Sequence, residues 1–310
     1  FSRLITVILQ YYLQEHPDLL HPKSQEIIKE TIARNGEVNL KRYLRTPFTH
    51  WKEDKQLGSI SVFHPDDDGR QSFVSNALTL SGNKYRIELS PRYTLLATAT
   101  EQEQAKKIIA RVRRRPTGSA FRKLFEAMRK SPFSATFTKK VNGITISHAV
   151  HVYGDKETQQ QLLQRFLKSG DEMFAQRGHS YWRSEQITDP ITKLRETGVI
   201  NDQDLSAQQR FMSLGSCGGV KAYTKLSRMF LGRVDILATI GTGIVMINDP
   251  YNRHFFEIVA KSPSSITWQD MADKTAFIFK GGRGQDYLQP GCLTSILHKL
   301  LAEEKAKQKE

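Results

Sequence analysis

The chain has 310 residues and a formal net charge of +14, with 38% hydrophobic and 9% aromatic residues. This suits a folded globular protein with one large domain of roughly 150–170 residues and a smaller N-terminal region, and no apolar run nears the roughly 20 residues of a membrane-spanning helix. Two cysteines in unlike surroundings, Cys217 and Cys292, argue against a disulfide framework and a thiolate zinc cage and leave cysteine free for chemistry.

The chain opens at Phe1 with neither an initiator Met nor a basic stretch ahead of an apolar one. It therefore reads as a piece of a longer polypeptide, which leaves its compartment open. Apolar residues at helical spacing over 4–13 and 23–34, with breaks at Pro17 and Pro22, predict a helical lead-in covering residues 1–57. From Gly58 the texture changes to short runs at 60–63, 85–89 and 94–97, divided by Asp66-Asp-Asp-Gly69, Gly82-Asn83 and Pro91. These read as strands and turns. Basic helices follow over 101–114 and 119–130, completing an α+β region at 58–132. Within 106–130, ten Lys or Arg residues face one acid, Glu126.

The rhythm then becomes regular. Runs at 135–140 and 144–147 flank Asn142-Gly143, a strong hairpin signal. Strands are expected at 149–153, 172–176, 210–214 and 234–240, alternating with helices at 156–168, 221–230 and 251–260. This predicts an α/β domain over 133–300, a parallel sheet with helices on both faces and functional loops beyond the carboxyl ends of its strands. Residues 301–310 form a charged tail, read as a frayed helix.

Two expected strand ends run into glycine and then a reactive side chain, at Gly178-His179 and at Gly215-Ser-Cys217-Gly-Gly219. Glycines around a nucleophile permit a tight strand-to-helix turn and clear the approach to a substrate carbonyl. A helix starting just after Cys217 turns its positive end toward the sulfur, and His179 is placed as general acid and base. The backbone N–H groups of Gly178 and Gly218 are the expected oxyanion donors. Either motif alone is explained by structure, a small buried thiol or a structural imidazole; the two together point to chemistry.

Strand, His179, a spacer of some 40 residues, a second apolar strand, a small residue and Cys217 resemble the pattern of clan CD cysteine peptidases, the group of caspases, gingipains and clostripains. The likeness spans residues 135–268, and the wording Arg177-Gly-His-Ser-Tyr181 with Leu214-Gly-Ser-Cys-Gly-Gly219 is similar to a bacterial branch. It implies a caspase-like fold, a His-Cys dyad without need of a third residue, a thioester acyl-enzyme, a polypeptide substrate and no cofactor or metal. It also implies a specificity pocket at Asp155, Gly215 and Thr239 to Gly241, although an aspartate after a strand is more often a helix N-cap. The chain departs from the family in having Ser180 after His179, where Gly is usual.

Weaker signals have structural readings. His148 and His151, three apart on a strand, face opposite sides and make no metal pair. Asp66-Asp-Asp-Gly69 is a solvated turn rather than a cation loop; Gly241-Thr-Gly243 and Gly281-Gly-Arg-Gly284 complete no phosphate-binding fingerprint; Asn248-Asp-Pro250 caps the helix after it; and Trp268 belongs to the core or a pocket wall. Two rival functions remain. One is nucleic-acid or anionic-surface binding by the basic 106–130 segment, through Arg111, Arg113, Arg114, Arg115, Arg122, Lys123, Arg129 and Lys130. The other is a catalytically inactive caspase-like interaction module.

Overall fold

The structure, a computed structural model, describes residues 2–179 and 184–307. Its centre is an eight-stranded sheet made of β1 (Gln56–Phe63), β2 (Arg86–Leu89), β3 (Ala135–Val141), β4 (Ile144–Val152), β5 (Met173–Arg177), β6 (Arg210–Leu214), β7 (Val234–Thr239) and β8 (Tyr287–Leu288). Their order in space is β2-β3-β4-β1-β5-β6-β7-β8. The inner strands β4, β1, β5, β6 and β7 are parallel, while β3 on one side and β8 on the other run against them and β2 at the edge pairs antiparallel with β3. Every residue of β5, β6 and β7 is buried, as befits strands covered on both faces.

The helices are α1 (Ser2–Glu15), α2 (Pro22–Asn35), α3 (Lys41–Leu44), α4 (Phe48–Trp51), α5 (Asp67–Gly82), α6 (Ala99–Arg114), α7 (Gly118–Lys130), α8 (Lys156–Leu167), α9 (Asp189–Glu196), α10 (Asp202–Ser206), α11 (Val220–Met229), α12 (Val245–Lys261), α13 (Trp268–Thr275) and α14 (Leu293–Lys307). Alternate strand residues sort them into layers. Leu57 and Phe63 of β1, with Ile146 and Val150 of β4, pack with α5, α6, α7, α12 and α13. Ile60 and Val62, with Phe174 and Met212, pack with α8, α9 and α11 on the other face. A third cluster joins α1 to α14 through Val7, Tyr43, Ile296 and Leu300. No helix among the described residues is long and apolar enough to cross a membrane.

The hairpin forms as expected, with Asn142 and Gly143 both at positive φ, 47° and 82°, as its tight turn requires. Other expectations are corrected. The boundary at 132/133 does not divide the sheet, because β1, from before it, lies between β4 and β5, from after it. The runs at 144–147 and 149–153 are one strand, β4. Residues 94–97 form no strand; Leu95 instead donates its N–H to the Pro132 carbonyl at 2.8 Å. Asp66-Asp-Asp-Gly69 opens a helix: Asp66 Oδ1 accepts the Gly69 N–H at 2.7 Å and caps α5. A Cβ at position 69 would lie 1.9 Å from the His64 carbonyl oxygen, so only glycine lets the chain turn this tightly. The last helix of the alternation starts at Val245, which puts Asn248, Asp249 and Pro250 inside it rather than at its cap.

His148 and His151 do face opposite sides of β4, each with Nδ1 beside a buried hydroxyl, Ser59 at 2.8 Å and Ser134 at 2.9 Å. Burial pushes both imidazoles down to about 4. Above the unfolded value near 6.5 they are neutral in either state, and below it the unfolded chain takes up protons that the folded one refuses. Stability is therefore expected to fall with pH from about 6.5 toward 4, by about 1.4 kcal/mol per pH unit for each histidine. Urea unfolding across this window checks it, with His148→Asn or His151→Asn each removing one proton's worth of the slope.

Candidate active site

His179 and Cys217 leave the sheet from adjacent parallel strands. Gln176 pairs with Leu214 in the β5–β6 ladder, and the Gly215 N–H extends it by donating to the Gln176 carbonyl at 3.0 Å. Each residue of the candidate pair lies three positions beyond this rung, so the register starts both loops at one height beyond the carboxyl edge of the sheet.

Buried polar contacts brace the Cys217 turn. Ser216 Oγ donates to Gln176 Oε1 at 2.7 Å. Thr239 Oγ1 accepts the Gly219 N–H at 2.8 Å and donates to the Ser216 carbonyl. Helix α11 begins at Val220, so its N-terminal end faces the turn as expected. The loop after β7 lies against the same turn. Gly241 accepts the Gly218 N–H at 2.6 Å, and the Gly243 N–H points at Cys217 Sγ from 3.3 Å. Gly218, expected to offer its N–H to an oxyanion, thus gives it to Gly241 in this conformation.

The His179 loop meets His64, which the sequence had not singled out, and Asp66 and Asp68, which it offered only as part of a solvated turn. Asp66 Oδ2 accepts the His179 N–H at 3.2 Å and lies 3.2 Å from His64 Nδ1. Burial opposes the charge on Asp66, but His64 and the N–H groups of Gly69 and His179 outweigh it and hold this carboxyl below the usual range. Asp68 Oδ2 stands 3.6 Å from His179 Nδ1, within ion-pair reach but longer than a hydrogen bond. A Cβ at Gly178 would come within 2.6 Å of His64 Cβ, so this glycine lets the end of β5 cross over His64. Ser180 and Tyr181 of the motif lie outside the described residues.

Beneath both loops runs a buried polar layer. Arg177 donates through Nη1 to the Gly215 carbonyl and through Nε to Ser72 Oγ at 3.3 Å, and it stands 3.7 Å from Asp249. Ser72 donates in turn to Asp249. Asp249 titrates above its ordinary value because burial outweighs the help from Arg177 and Ser72.

The expected specificity residues fare differently. Asp155 is the N-cap of α8, with its two oxygens accepting from the Thr158 N–H at 2.8 Å and hydroxyl at 2.9 Å. It follows β4, which β1 separates from β5, so the strand end beside the His179 loop carries His64 and Asp66 instead. Gly215 and Thr239 are buried within the turn; a Cβ at 215 would meet the Gln176 carbonyl at 2.6 Å. Gly241 is exposed and keeps access to the site.

In a cavity of about 250 Å³ at the opposite edge of the sheet, the acidic lining residues Asp171 and Glu172 are paired internally. Arg92 and Tyr93 both bind Asp171, and the Gly58 N–H binds Glu172 at 2.6 Å. Among the described residues no group of three or more His, Cys, Asp or Glu side chains is placed to hold a metal ion. Comparison with known protein families, with curated proteins and with solved structures finds no match to this chain.

Thr239→Val removes a buried hydroxyl that serves two partners. It is expected to cost about 2–3 kcal/mol, and Thr239→Ser under about 1 kcal/mol, in denaturant unfolding. Equal losses would show that the methyl packing, not the hydroxyl, braces the turn.

Proposed function

We propose that this chain is a cysteine endopeptidase of the caspase-like, clan CD type, with His179 and Cys217 as its catalytic pair. The observation that carries the reading is their shared register beyond the ends of adjacent parallel strands. The order of elements agrees with it. Among the parallel strands in chain order, His179 follows the third and Cys217 the fourth, and the lateral order is that of a doubly wound sheet.

In this mechanism Cys217 passes its thiol proton to His179 and its Sγ attacks the substrate carbonyl carbon. His179 gives a proton to the amine as the C–N bond breaks, leaving a thioester. Water then adds to the thioester, His179 takes its proton, and C–S cleavage restores the thiol. Asp68 closes the remaining few tenths of an ångström to His179 Nδ1 when the imidazole is charged, as contacts in unliganded sites often tighten on binding. The Gly218 N–H serves the oxyanion once Gly241 withdraws. If Gly241 keeps that N–H, the chain is instead the inactive interaction module.

An electrophilic cysteine probe separates the two readings. Cys292, whose thiol burial pushes up, is the internal reference. Cys217 is expected to react at least about tenfold faster, and His179→Ala to abolish the difference. Asp68→Asn is expected to lower kcat/KM on a peptide library by about tenfold with the fold intact. Equal reactivity of the two thiols and no cleavage would overturn the peptidase reading and leave the inactive interaction module and the anionic-surface binder.

A further inference from the structure

Helices α6 and α7 present a basic surface that the proposed chemistry does not use. Both turn their apolar residues inward: Phe121, Leu124, Phe125 and Met128 of α7, and Ala105, Ile109 and Val112 of α6, are buried in the main core. Outside, a groove of about 520 Å³ runs between them. Half-buried Ile108 and Ala120, with the edge of Val112, form its floor, and exposed Arg111, Arg115 and Lys123 line its sides. Among the described residues none of these three cations is in an ion pair; the acids of these helices that do pair, Glu103 and Glu126, are taken by Lys106 and Arg129.

We infer that this groove docks an acidic amphipathic segment of a partner polypeptide, with apolar side chains on the floor and carboxylates against Arg111, Arg115 and Lys123. The helices, 16 and 13 residues long, offer a track of about 20 Å, enough for some 13 residues of helix. Nucleic acid fits less well. Between 99 and 130 the only aromatic residues are Phe121 and Phe125, both fully buried, so the surface has no stacking platform. A phosphodiester backbone would also leave the apolar floor uncovered, whereas an acidic helix with leucines on one face satisfies floor and rim together.

The inference concerns binding alone and stands apart from the peptidase reading, so the test uses the full chain carrying Cys217→Ala. The probe is a fluorescein-labelled 14-residue helical peptide with glutamates and leucines on one face, followed by anisotropy. It is expected to bind, and Arg111→Glu/Arg115→Glu/Lys123→Glu to weaken it at least tenfold. Replacing its leucines by glutamine is expected to weaken it by a similar factor, and a 20-base-pair duplex at equal charge not to displace it. Should the triple variant fail to fold, Arg111→Gln/Arg115→Gln, at exposed positions, reads the same loss in smaller measure. No binding of the peptide, equal binding of the glutamine peptide, full displacement by the duplex or indifference to the charge changes would each overturn the proposal; displacement would assign the surface to nucleic acid.

Discussion

The Arg177 guanidinium is the fixed point of the candidate site. It is almost wholly removed from water and holds three elements at once: the Cys217 turn through the Gly215 carbonyl, α5 through Ser72, and α12 through Asp249. A buried charge is tolerated only with a partner and satisfied hydrogen bonds, and breaking such a pair typically costs about 3–5 kcal/mol. The next residues after Arg177 are Gly178 and His179. One buried cation therefore sets where the His179 loop leaves β5 and where the Cys217 turn leaves β6. The rotational freedom of two loops is reduced to the backbone of two residues on one side and the bracing by Thr239 on the other.

Most of the repeating framework was legible from sequence because its signals are local. The run at 210–214 is bounded as β6 is, and Asn142-Gly143 forces a hairpin through its own backbone preferences. The helix over 221–230 and the basic helices over 101–114 and 119–130 are recovered to within a few residues, since their apolar spacing and caps lie in contiguous sequence. The position of β1 was not legible. Nothing within Gln56–Phe63 says that it inserts between β4 and β5, strands more than 80 and 100 residues downstream. That lateral order is set by which faces must be covered, a property of the whole sheet. The pocket residue that the resemblance implied, Asp155, therefore follows β4, whereas the strand end beside the His179 loop carries His64 and Asp66.

Asp66 and Asp68 show a second limit. Three aspartates and a glycine make a turn signal, and they also make the cap and acidic first turn of a helix. The weak apolar pattern of α5, where Ser72 and Asn76 occupy buried positions beside Phe73 and Ala77, hid the helix that follows. Those polar residues are buried because they serve Arg177, Asp249 and Arg253, as Asn76 does in accepting from Arg253. The requirements of the site thus masked the periodicity that would have located it. The same holds for Asn248 and Asp249, which read as a cap in sequence and turn out to be part of the buried layer.

The Gly218 N–H brings these constraints to the chemistry. In a braced, half-buried turn a backbone donor cannot go unpaired without cost, so the turn must offer it something. In this conformation the partner is the Gly241 carbonyl; in the proposed reaction it is the oxygen of the tetrahedral intermediate. Exchanging one acceptor for another changes the number of hydrogen bonds by none, and a single such bond is worth only about 0.5–1.5 kcal/mol net. Gly241 is exposed, and a Cβ there would touch nothing within 4 Å, so no side-chain packing resists its departure. Gly243 is the opposite case, seated 2.7 Å from the Gly215 carbonyl by the same measure. On the proposed function, the loop would pivot about Gly243 while Gly241 gives way to substrate, leaving the Arg177 layer below undisturbed.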